Sequence, residues 1–536
     1  MLLNNVKTLW IGDKVAVRST VRKNDYHDSV FLMRISSKLE ALEGVRRAAA
    51  MMATENNKGL FKDAGLLTDE IKDAGANDLA IAVDATNDKL AENALSAVNE
   101  LLAEKLVKPG EIVLKTLGSA MASAPGADLV LISTPGAFAA REARKALDAG
   151  KHIMIFSDGV PFEDEIDLKR LASKKGLLLM GPEAGTSIVG GVGLGFSNAV
   201  KSGPIGIVGA AGTGIQEVTC LVSKELGISH AIGVGGRDLS QRVDGMGTLS
   251  ALKFLAEDKK TEVLVLISKP PAASVSRKVL QAVKKIRKPA VVCFLSGGPS
   301  EISRMGATPA ATLEDAAAKA IALARGEKPK EIKFTLPVHE VKRIAEKEYS
   351  RLVYGQKYVR GLFSGGSLCD EAMVVLRELV GDVCSNVPLK PRLKLPSPHH
   401  SKRHTCVDMG TEDFTRERPH PMIDLKPRCE RMLQEAKKLD VAVILLDVVL
   451  GYGAHPDPAS ELARAIEGAK AATEKTGGYM SVVASICGTS GDPQGLAGQE
   501  QKLRKAGTII MPSNAQAARM AALIASRGKV WRRLGK

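Results

Sequence analysis

The sequence predicts an α/β protein built on doubly wound parallel sheets, preceded by a small α+β module. From Ala127 onward, short apolar runs alternate with segments that carry apolar residues at helical spacing, as in DLVLIST, AAREARKALDAG and HIMIFS. These runs lack a polar face, which is typical of strands that helices cover on both sides. Several of them end in small-residue loops that lead directly into a helix.

The first hundred residues follow a different pattern. HDSVFLMRISSKLEAL and ENALSAVNELLAEK have helical spacing, whereas VRRAAAMMA and DLAIAVDA resemble strands. This mixture predicts a compact α+β module of the ferredoxin type at residues 1–108.

The remaining chain shows a repeated pattern. A Gly-rich loop is expected to lead into the strand PIGIVGA, which opens a flavodoxin-like block from Gly203 to about Gly326. After the polar segment EKPKEIKFTLPVHE the pattern returns, and a duplicated domain is the interpretation. Three pairs of segments support it: GAAGTGIQEV with FSGGSLCDEA, EVLVLISKP with VAVILLDVV, and VVCFLSGG with VVASICGTSG. The predicted divisions are 109–200, 201–328 and 329–536.

Composition narrows the classes of function. The formal charge is +15, but Lys and Arg are interleaved with Asp and Glu, and aromatic residues make up only 4% of the 536 residues. A nucleic-acid partner is therefore not expected. A solvated basic surface and the steering of acidic small substrates both fit the charge.

The cellular context follows from what the sequence lacks. It shows no secretory signal and no apolar stretch of the ~20 residues that a membrane span needs. Its seven cysteines form no CxxC pair. We expect a cytoplasmic protein with reduced thiols and no membrane partner.

Two loops of small residues precede helices and are candidate anion sites. Backbone N–H groups at a helix start are free to bind phosphate. A tight strand–helix turn that needs glycine for packing is the alternative for each loop. The candidate phosphate-binding residues are Gly209, Ala211, Gly212 and Thr213 in the first loop and Gly365, Gly366 and Ser367 in the second.

The first loop belongs to a longer resemblance. PIGIVGAAGTGIQEV resembles the α subunit of succinyl-CoA synthetase, and GVGGRD, EVLVLIS and SRMGATPAATLEDAAA follow in that family's order. VLISTPGAF, DAGKHIMIFSDGVP and MGPEAGTS are similar to the later part of its CoA-binding domain. The resemblance implies a Rossmann-like CoA-binding-type domain at 109–200 and ligase-CoA-type domains at 201–328 and 329–536. It implies cofactor contacts at Thr134, Pro135, Asp158 and Gly159.

The chain departs from that family where the phosphoryl group is carried. Ala307 stands where the family has its phosphorylated histidine, and Lys269 follows the strand where the family has an acidic residue. The first Gly-rich CoA loop has no counterpart before Ala127, and no ATP-grasp region fits. The sequence therefore does not decide whether CoA is a cofactor of this chain. Lys269 and Arg304 become candidate catalytic cations that attract an acyl phosphate.

Taken as a whole, the chain is identified as a member of the FdrA family. The passages that carry this resemblance are RGLFSGGSLCDEA, VDMGTEDFTRERPHPMID, ILLDVVLGYGAHPDPA and VVASICGTSGDPQ. The resemblance implies one subunit of an oxamate carbamoyltransferase in anaerobic allantoin breakdown, acting on carbamoyl phosphate and a carboxylate with companion subunits. Two alternatives stay open: an acyl-CoA synthetase or CoA-transfer enzyme, and a non-catalytic scaffold that binds acyl phosphate.

Three further groups of side chains are candidates for a catalytic, anion-binding or metal site. His455, after a buried strand, is the candidate general base. Arg418 and His420, near Asp408 and Asp424, form either an anion clamp or a rigid surface loop. A third group matches no zinc spacing, so a solvated basic loop is favoured and no metal is expected. That group is His399, His400, His404 and Cys406.

Overall fold

The computed structural model describes residues 16–25, 27, 29–103, 114, 116–415 and 418–534. Contacts divide the chain into two compact units, one up to residue 115 and one from Thr116 onward. The finer boundaries predicted at residues 200 and 328 stay predictions. Within the described ranges, no helix is both long enough and apolar enough to cross a membrane.

The first unit is an α+β module around an antiparallel sheet of order β1-β3-β2. Its central strand is buried on both faces: Leu79, Ile81 and Val83 pack against α1 and α4, while Ala80 and Ala82 pack around Phe61 of α2. This confirms the predicted small N-terminal module. Its elements are β1 (Ala16–Arg22), α1 (Ser29–Glu40), β2 (Val45–Met52), α2 (Glu55–Asp63), α3 (Asp69–Lys72), β3 (Leu79–Ala85) and α4 (Asp88–Ala103).

The second unit opens with a parallel sheet of order β4-β5-β6. Helix α6 presents the fully buried Ala139, Ala143 and Ala146 to it, and these small side chains let the helix lie close to the strands. The elements of this part are α5 (Leu117–Ser123), β4 (Leu129–Ile132), α6 (Gly136–Asp148), β5 (His152–Ile155), α7 (Phe162–Lys175) and β6 (Leu179–Met180).

A seven-stranded sheet follows, of order β13-β12-β11-β9-β10-β7-β8. Strands β7 and β8 form an antiparallel hairpin at its edge, turning through Gly190 and Gly191, which both have positive φ. The sequence predicted only a Gly-rich loop here; that was wrong, because these glycines supply the turn of a hairpin. The elements are β7 (Thr186–Val189), β8 (Val192–Gly195), β9 (Ser202–Gly209), α8 (Gly212–Ser223), β10 (Ile228–Gly233), α9 (Met246–Glu257), β11 (Val263–Ser268), α10 (Ala273–Lys285), β12 (Ala290–Phe294), α11 (Pro299–Arg304), β13 (Thr308–Pro309) and α12 (Leu313–Ala324).

A five-stranded parallel sheet completes the chain, in the order β15-β14-β16-β17-β18. Its strands are buried along almost their whole length, as the apolar runs predicted. The elements are α13 (Val338–Tyr349), β14 (Tyr358–Phe363), α14 (Gly366–Val380), β15 (Thr405–Asp408), α15 (Glu412–Thr415), α16 (Lys426–Ala436), β16 (Val441–Val449), α17 (Pro458–Lys475), β17 (Ser481–Cys487), α18 (Leu496–Lys505), β18 (Thr508–Met511) and α19 (Asn514–Ala525).

The two larger sheets share one plan. Strands β9 to β13 and strands β14 to β18 are each arranged in the order second-first-third-fourth-fifth. This is the flavodoxin-like order, and it confirms the predicted fold class of doubly wound sheets. In such sheets ligands bind at the carboxyl ends of the strands where the order reverses. Those places are the ends of β9 and β11 in one copy and of β14 and β16 in the other.

Two buried glutamates join the copies reciprocally. Glu217 of α8 accepts the N–H of Asn514, at the start of α19, at 3.1 Å. Glu371 of α14 accepts the N–H of Leu313, at the start of α12, at 2.6 Å. Each copy therefore caps the last helix of the other. Burial raises the pKa of both carboxyl groups, that of Glu371 to about 8.

Candidate active site

The first glycine-rich loop lies between β9 and α8. A Cβ added at Gly209 would lie 2.6 Å from the Ile215 side chain, so the tight turn requires glycine. Ala211 precedes the helix, and no described side chain caps it. Ala211 and Gly212 are partly exposed. The start of the helix thus borders accessible space at its Gly212 edge, at the positive end of the helix dipole, an arrangement suited to phosphate.

The second loop, between β14 and α14, has the same backbone plan and different surroundings. The Asp447 carboxylate accepts the N–H groups of Ser364 and Gly365, each at 2.9 Å. Asp447 is fully buried and pairs with Arg428 at 2.8 Å. Asp408, at the end of β15, places Oδ2 only 2.7 Å from where a Cβ on Gly366 would lie. Two carboxylates of the chain itself therefore surround this helix start.

The two helix starts are in contact. A Cβ on Gly365 would meet the Thr213 hydroxyl at 2.7 Å, and one on Gly214 would meet the Ser367 Cβ at 3.3 Å. The two loops, which are far apart in the sequence, form one continuous surface. Both groups of predicted phosphate-binding residues are brought together here.

Lys269 links the two copies beside this surface. It follows β11, and its Nζ lies 2.8 Å from Oδ2 of Asp370 on α14. Burial alone would lower the pKa of Lys269, but the Asp370 and Asp408 carboxylates outweigh it and raise that pKa. The ammonium is therefore charged at neutral pH, and its side chain is half exposed.

The carboxylates here titrate unusually. Burial raises the pKa of Asp370, and it raises the pKa of Asp408 to about 6. Asp408 is 7% exposed, and its Oδ1 accepts the Gly410 N–H at 2.9 Å. Perturbed groups at the strand ends of a doubly wound sheet are typical of functional sites.

His420 and Arg418 lie apart from one another. His420 packs against Phe196, with ring centroids 5.7 Å apart, and its Nδ1 accepts the Met422 N–H. Burial lowers the His420 pKa to about 4, so the ring is neutral at pH 7 and offers one N–H rather than a positive charge. Arg418 is exposed and lines a separate cavity of about 250 Å³ with Phe414 and Glu430.

The other two candidate catalytic residues have simple surroundings. His455 accepts the Asp457 N–H at Nδ1, and its Nε2 lies 3.2 Å from Glu461, so both ring nitrogens are engaged. Arg304 ends α11 on the surface, where its Nε contacts the Ser300 carbonyl. Their catalytic roles stay predictions.

The predicted cofactor contacts form two touching loops. Thr134 and Pro135 lead into α6, and a Cβ added at Gly136 would lie 2.3 Å from the carbonyl oxygen of Asp158. Asp158 and Gly159 follow β5, and both loops are exposed. Phe156, at the end of β5, lies 5.7 Å from Phe196, which contacts His420. A chain of aromatic contacts thus leads from these loops to the helix-start surface.

Sequence reasoning missed Asp370, Asp447 and Arg428. The signal for Asp447 was its place inside the apolar run VAVILLDVV, because a buried carboxylate must be paired or hydrogen-bonded. Its donors could not be named, since Ser364 lies 83 residues away. Asp370 and Arg428 lie in ordinary helical patterns that give no comparable signal.

The polar run SPHHSKRHTC has its own contacts. His404 Nδ1 accepts the Val359 N–H, and Cys406 is buried in β15. His399 packs edge-on against Phe414. Over the described part of the chain, no three His, Cys, Asp or Glu residues are placed to share a metal ion.

Three family models match the chain. A model described as AllF, heavy metal-associated domain, matches residues 15–112. The CoA binding domain model matches residues 200–297, and the CoA-ligase model matches residues 362–524. The first range contains no cysteine, since all seven lie from Cys220 onward. Its residues therefore do not fit a thiolate metal site.

Relatives span the chain to different extents. YahF of Escherichia coli K12 is 42% identical over 519 residues, which is 96% of this chain and 100% of that protein. The succinate–CoA ligase α subunit 2 of Archaeoglobus fulgidus is 29% identical over 34% of this chain, which spans 63% of that subunit. The sulfoacetate-CoA ligase subunit SauD of Bilophila wadsworthia is 28% identical over the same shares.

Solved structures are more distant. The dinucleotide-forming acetyl-coenzyme A synthetase 1 of Candidatus Korarchaeum cryptofilum is 17% identical, with a TM-score of 0.29, over 75% of this chain and 83% of that one. The ATP citrate lyase of Methanothrix soehngenii is 16% identical, with a TM-score of 0.35, over 43% of this chain and 46% of that one.

Proposed function

Because the chain belongs to the FdrA-type, acyl-CoA synthetase-like family that includes YahF, we propose that it handles an acyl phosphate as one subunit of an oxamate carbamoyltransferase. The reaction joins carbamoyl phosphate and oxamate to give oxalurate and phosphate. The observation that carries this proposal is the uncapped start of α8 beside Lys269, in a chain whose Ala307 replaces the histidine of the phosphoryl relay.

The chemistry needs no phosphorylated side chain. The oxamate nitrogen attacks the carbamoyl carbon, a C–N bond forms, the bond from that carbon to the phosphate oxygen breaks, and the nitrogen loses a proton. Negative charge grows on the departing phosphate. We assign the stabilisation of that charge to the N–H groups at Gly212 and Thr213 and to the Lys269 ammonium.

The reaction also needs a group that accepts the proton from the oxamate nitrogen. His455 can take a proton at Nδ1 only if it releases the Asp457 N–H, or at Nε2 only after the proton there has moved to Glu461. The companion subunits, which the family resemblance implies, are a second source of this base. Replacing His455 by Ala in the assembled complex separates these cases, because a rate that does not change removes His455 from the reaction.

The proposal is tested by measuring phosphate release from carbamoyl phosphate plus oxamate. The chain would be coexpressed with the products of its neighbouring genes. We expect Lys269→Met to lower kcat by about 100-fold, the effect of losing one group that stabilises transition-state charge. Lys278→Met is the matched control, because Lys278 is also about half exposed and paired with an aspartate. No phosphate release by the wild-type complex would refute the proposal.

A second candidate is an acyl-CoA synthetase or CoA-transfer enzyme. The observation that favours it is the match of the CoA binding domain model to residues 200–297, which include the loop Gly209–Thr213. The free N–H groups at the start of α8 fit a CoA diphosphate as well as an acyl phosphate. Isothermal titration with CoA distinguishes the two, and an absence of binding heat removes this candidate.

The third candidate is a scaffold that binds acyl phosphate while its partners supply catalysis. It predicts that Lys269→Met and His455→Ala both leave the rate of the assembled complex unchanged while phosphate binding persists.

A further inference from the structure

Three carboxylates lie near the start of α14, whose own first turn, like that of α8, has no side-chain cap. Asp447 already takes the N–H groups of Ser364 and Gly365. Asp408 and Asp370 add two more carboxylates beside the same helix turn. A phosphate would meet like charge here, so this half of the joined surface suits a ligand group that donates hydrogen bonds.

Asp408 is the carboxylate that remains available. It is 7% exposed, and Oδ1 is used by the Gly410 N–H. Oδ2 lies beside Gly366, and no residue in the described ranges donates a hydrogen bond to it. Asp370 is held by Lys269 and Asp447 by Arg428. Oδ2 of Asp408 keeps contact with solvent, so a ligand that donates a hydrogen bond can reach it.

The two helix starts adjoin each other next to Asp408. Thr213 of α8 touches Gly365, and Gly365 is followed by Gly366, which abuts Asp408. A phosphate on the first turn of α8 would therefore lie next to the helix start that Asp408 borders. The acyl groups of carbamoyl phosphate and acetyl phosphate have similar size, but the carbamoyl group carries two N–H donors where the acetyl group carries a methyl.

We propose that Asp408 accepts a hydrogen bond from the carbamoyl NH₂ group and thereby selects carbamoyl phosphate over other acyl phosphates. This inference rests on the proposed function and names the NH₂ group as the part of the substrate that the site recognises. A site built to bond an N–H rejects an analogue that lacks it far more strongly than an apolar pocket rejects a change of one methyl group.

The test compares two substrates in one complex. Phosphate release from carbamoyl phosphate and from acetyl phosphate, each with oxamate, is measured for the wild type, Asp408→Asn and the control Asp315→Asn. In Asp408→Asn the side-chain amide oxygen can still accept the Gly410 N–H, while the amide NH₂ faces the substrate as a donor. Asp315 is a matched buried carboxylate, paired with Lys319 on α12.

We expect Asp408→Asn to lower kcat/KM for carbamoyl phosphate by roughly 10- to 100-fold and to leave that for acetyl phosphate within about threefold. Asp315→Asn should leave the ratio unchanged. An equal loss for both substrates, or an unchanged ratio, would overturn the role of Asp408 while the proposed function stands. A wild-type complex without activity on carbamoyl phosphate would overturn both.

Binding provides a readout independent of turnover. Competition by the two acyl phosphates against inorganic phosphate, followed by ³¹P NMR, should show tighter binding of carbamoyl phosphate in the wild type. That preference should disappear in Asp408→Asn, whereas the affinity for inorganic phosphate should stay. A preference that persists in the variant contradicts the proposal even if the variant is catalytically impaired.

Discussion

The starts of α8 and α14 share a backbone plan and differ in charge. Each follows the first strand of its copy, β9 or β14, begins with small residues and contacts the start of the other helix. No described side chain caps either helix. In front of α14, Asp447 accepts the loop N–H groups and Asp408 lies beside Gly366. The motif alone therefore does not decide what a helix start binds.

The difference arises outside the loops. Asp408 comes from the end of β15 and Asp447 from inside β16, both well after the α14 loop in the sequence. In the other copy, Gly233 at the end of β10 stands in the place of Asp408. The apolar Ile267, the next-to-last residue of β11, stands in the place of Asp447. Residues of the neighbouring strands therefore determine which charged groups lie beside each helix start.

The largest expected effect comes from removing the charge of Asp447, which accepts the N–H groups of the loop before α14. Asp447→Asn would leave Arg428, which is only 1% exposed, without its partner. We expect a loss of about 3–5 kcal/mol in the free energy of unfolding, measured by urea denaturation. Asp440→Asn is the control, since Asp440 is about half exposed and should cost less than ~1 kcal/mol. Equal losses in the two variants would show that the Asp447–Arg428 pair stabilises the fold no more than the half-exposed Asp440 does.

The next effect comes from making α8 resemble α14. Gly212→Asp adds a carboxylate where a Cβ meets nothing closer than the Thr186 hydroxyl at 3.7 Å, so the fold should tolerate it. It should weaken phosphate binding by about 30-fold, the equivalent of ~2 kcal/mol of helix-start stabilisation. Gly212→Ala, which adds the Cβ without charge, should bind phosphate nearly as the wild type does. Isothermal titration with inorganic phosphate measures both, and similar losses would favour a steric cause.

The smallest effect is a difference in pH response. Burial raises the pKa of Asp408 to about 6, so the group is an ionised acceptor above pH 6 and a neutral acid below it. The preference for carbamoyl over acetyl phosphate should fall by up to about tenfold per pH unit below 6. Sulfate binding at α8 should show no such midpoint, because sulfate keeps its charge throughout this pH range. A selectivity midpoint that remains in Asp408→Asn would exclude Asp408 as its source.

The fold was largely readable from the sequence because its strands are unusually uniform. β11, β12, β16 and β17 are nearly continuous apolar runs, which have few structural alternatives when helices alternate with them. The hairpin β7–β8 was not readable, since its pairing depends on a two-glycine turn within a run of glycines that also suits a loop.

The site was readable only in part. The helix starts were found because small residues before a helix have a local physical meaning. Their opposite surroundings were not, because Asp408, Asp447 and Lys269 reach them from other strands and, for Lys269, from the other copy. Single-sequence patterns report neighbours in the chain, whereas the charge at a site is set by neighbours in space.

The crossed caps of Glu217 and Glu371 give the two copies the contact pattern of a symmetric dimer. When residue i of one copy contacts residue j of the other and the reverse contact also exists, the interface has the form of an isologous dimer. The linker between α12 and α13 joins what would be two equal subunits. A symmetric dimer must carry any substitution twice, once in each subunit. In this single chain the two helix starts have separate sequences, so one can have neighbouring carboxylates that the other lacks.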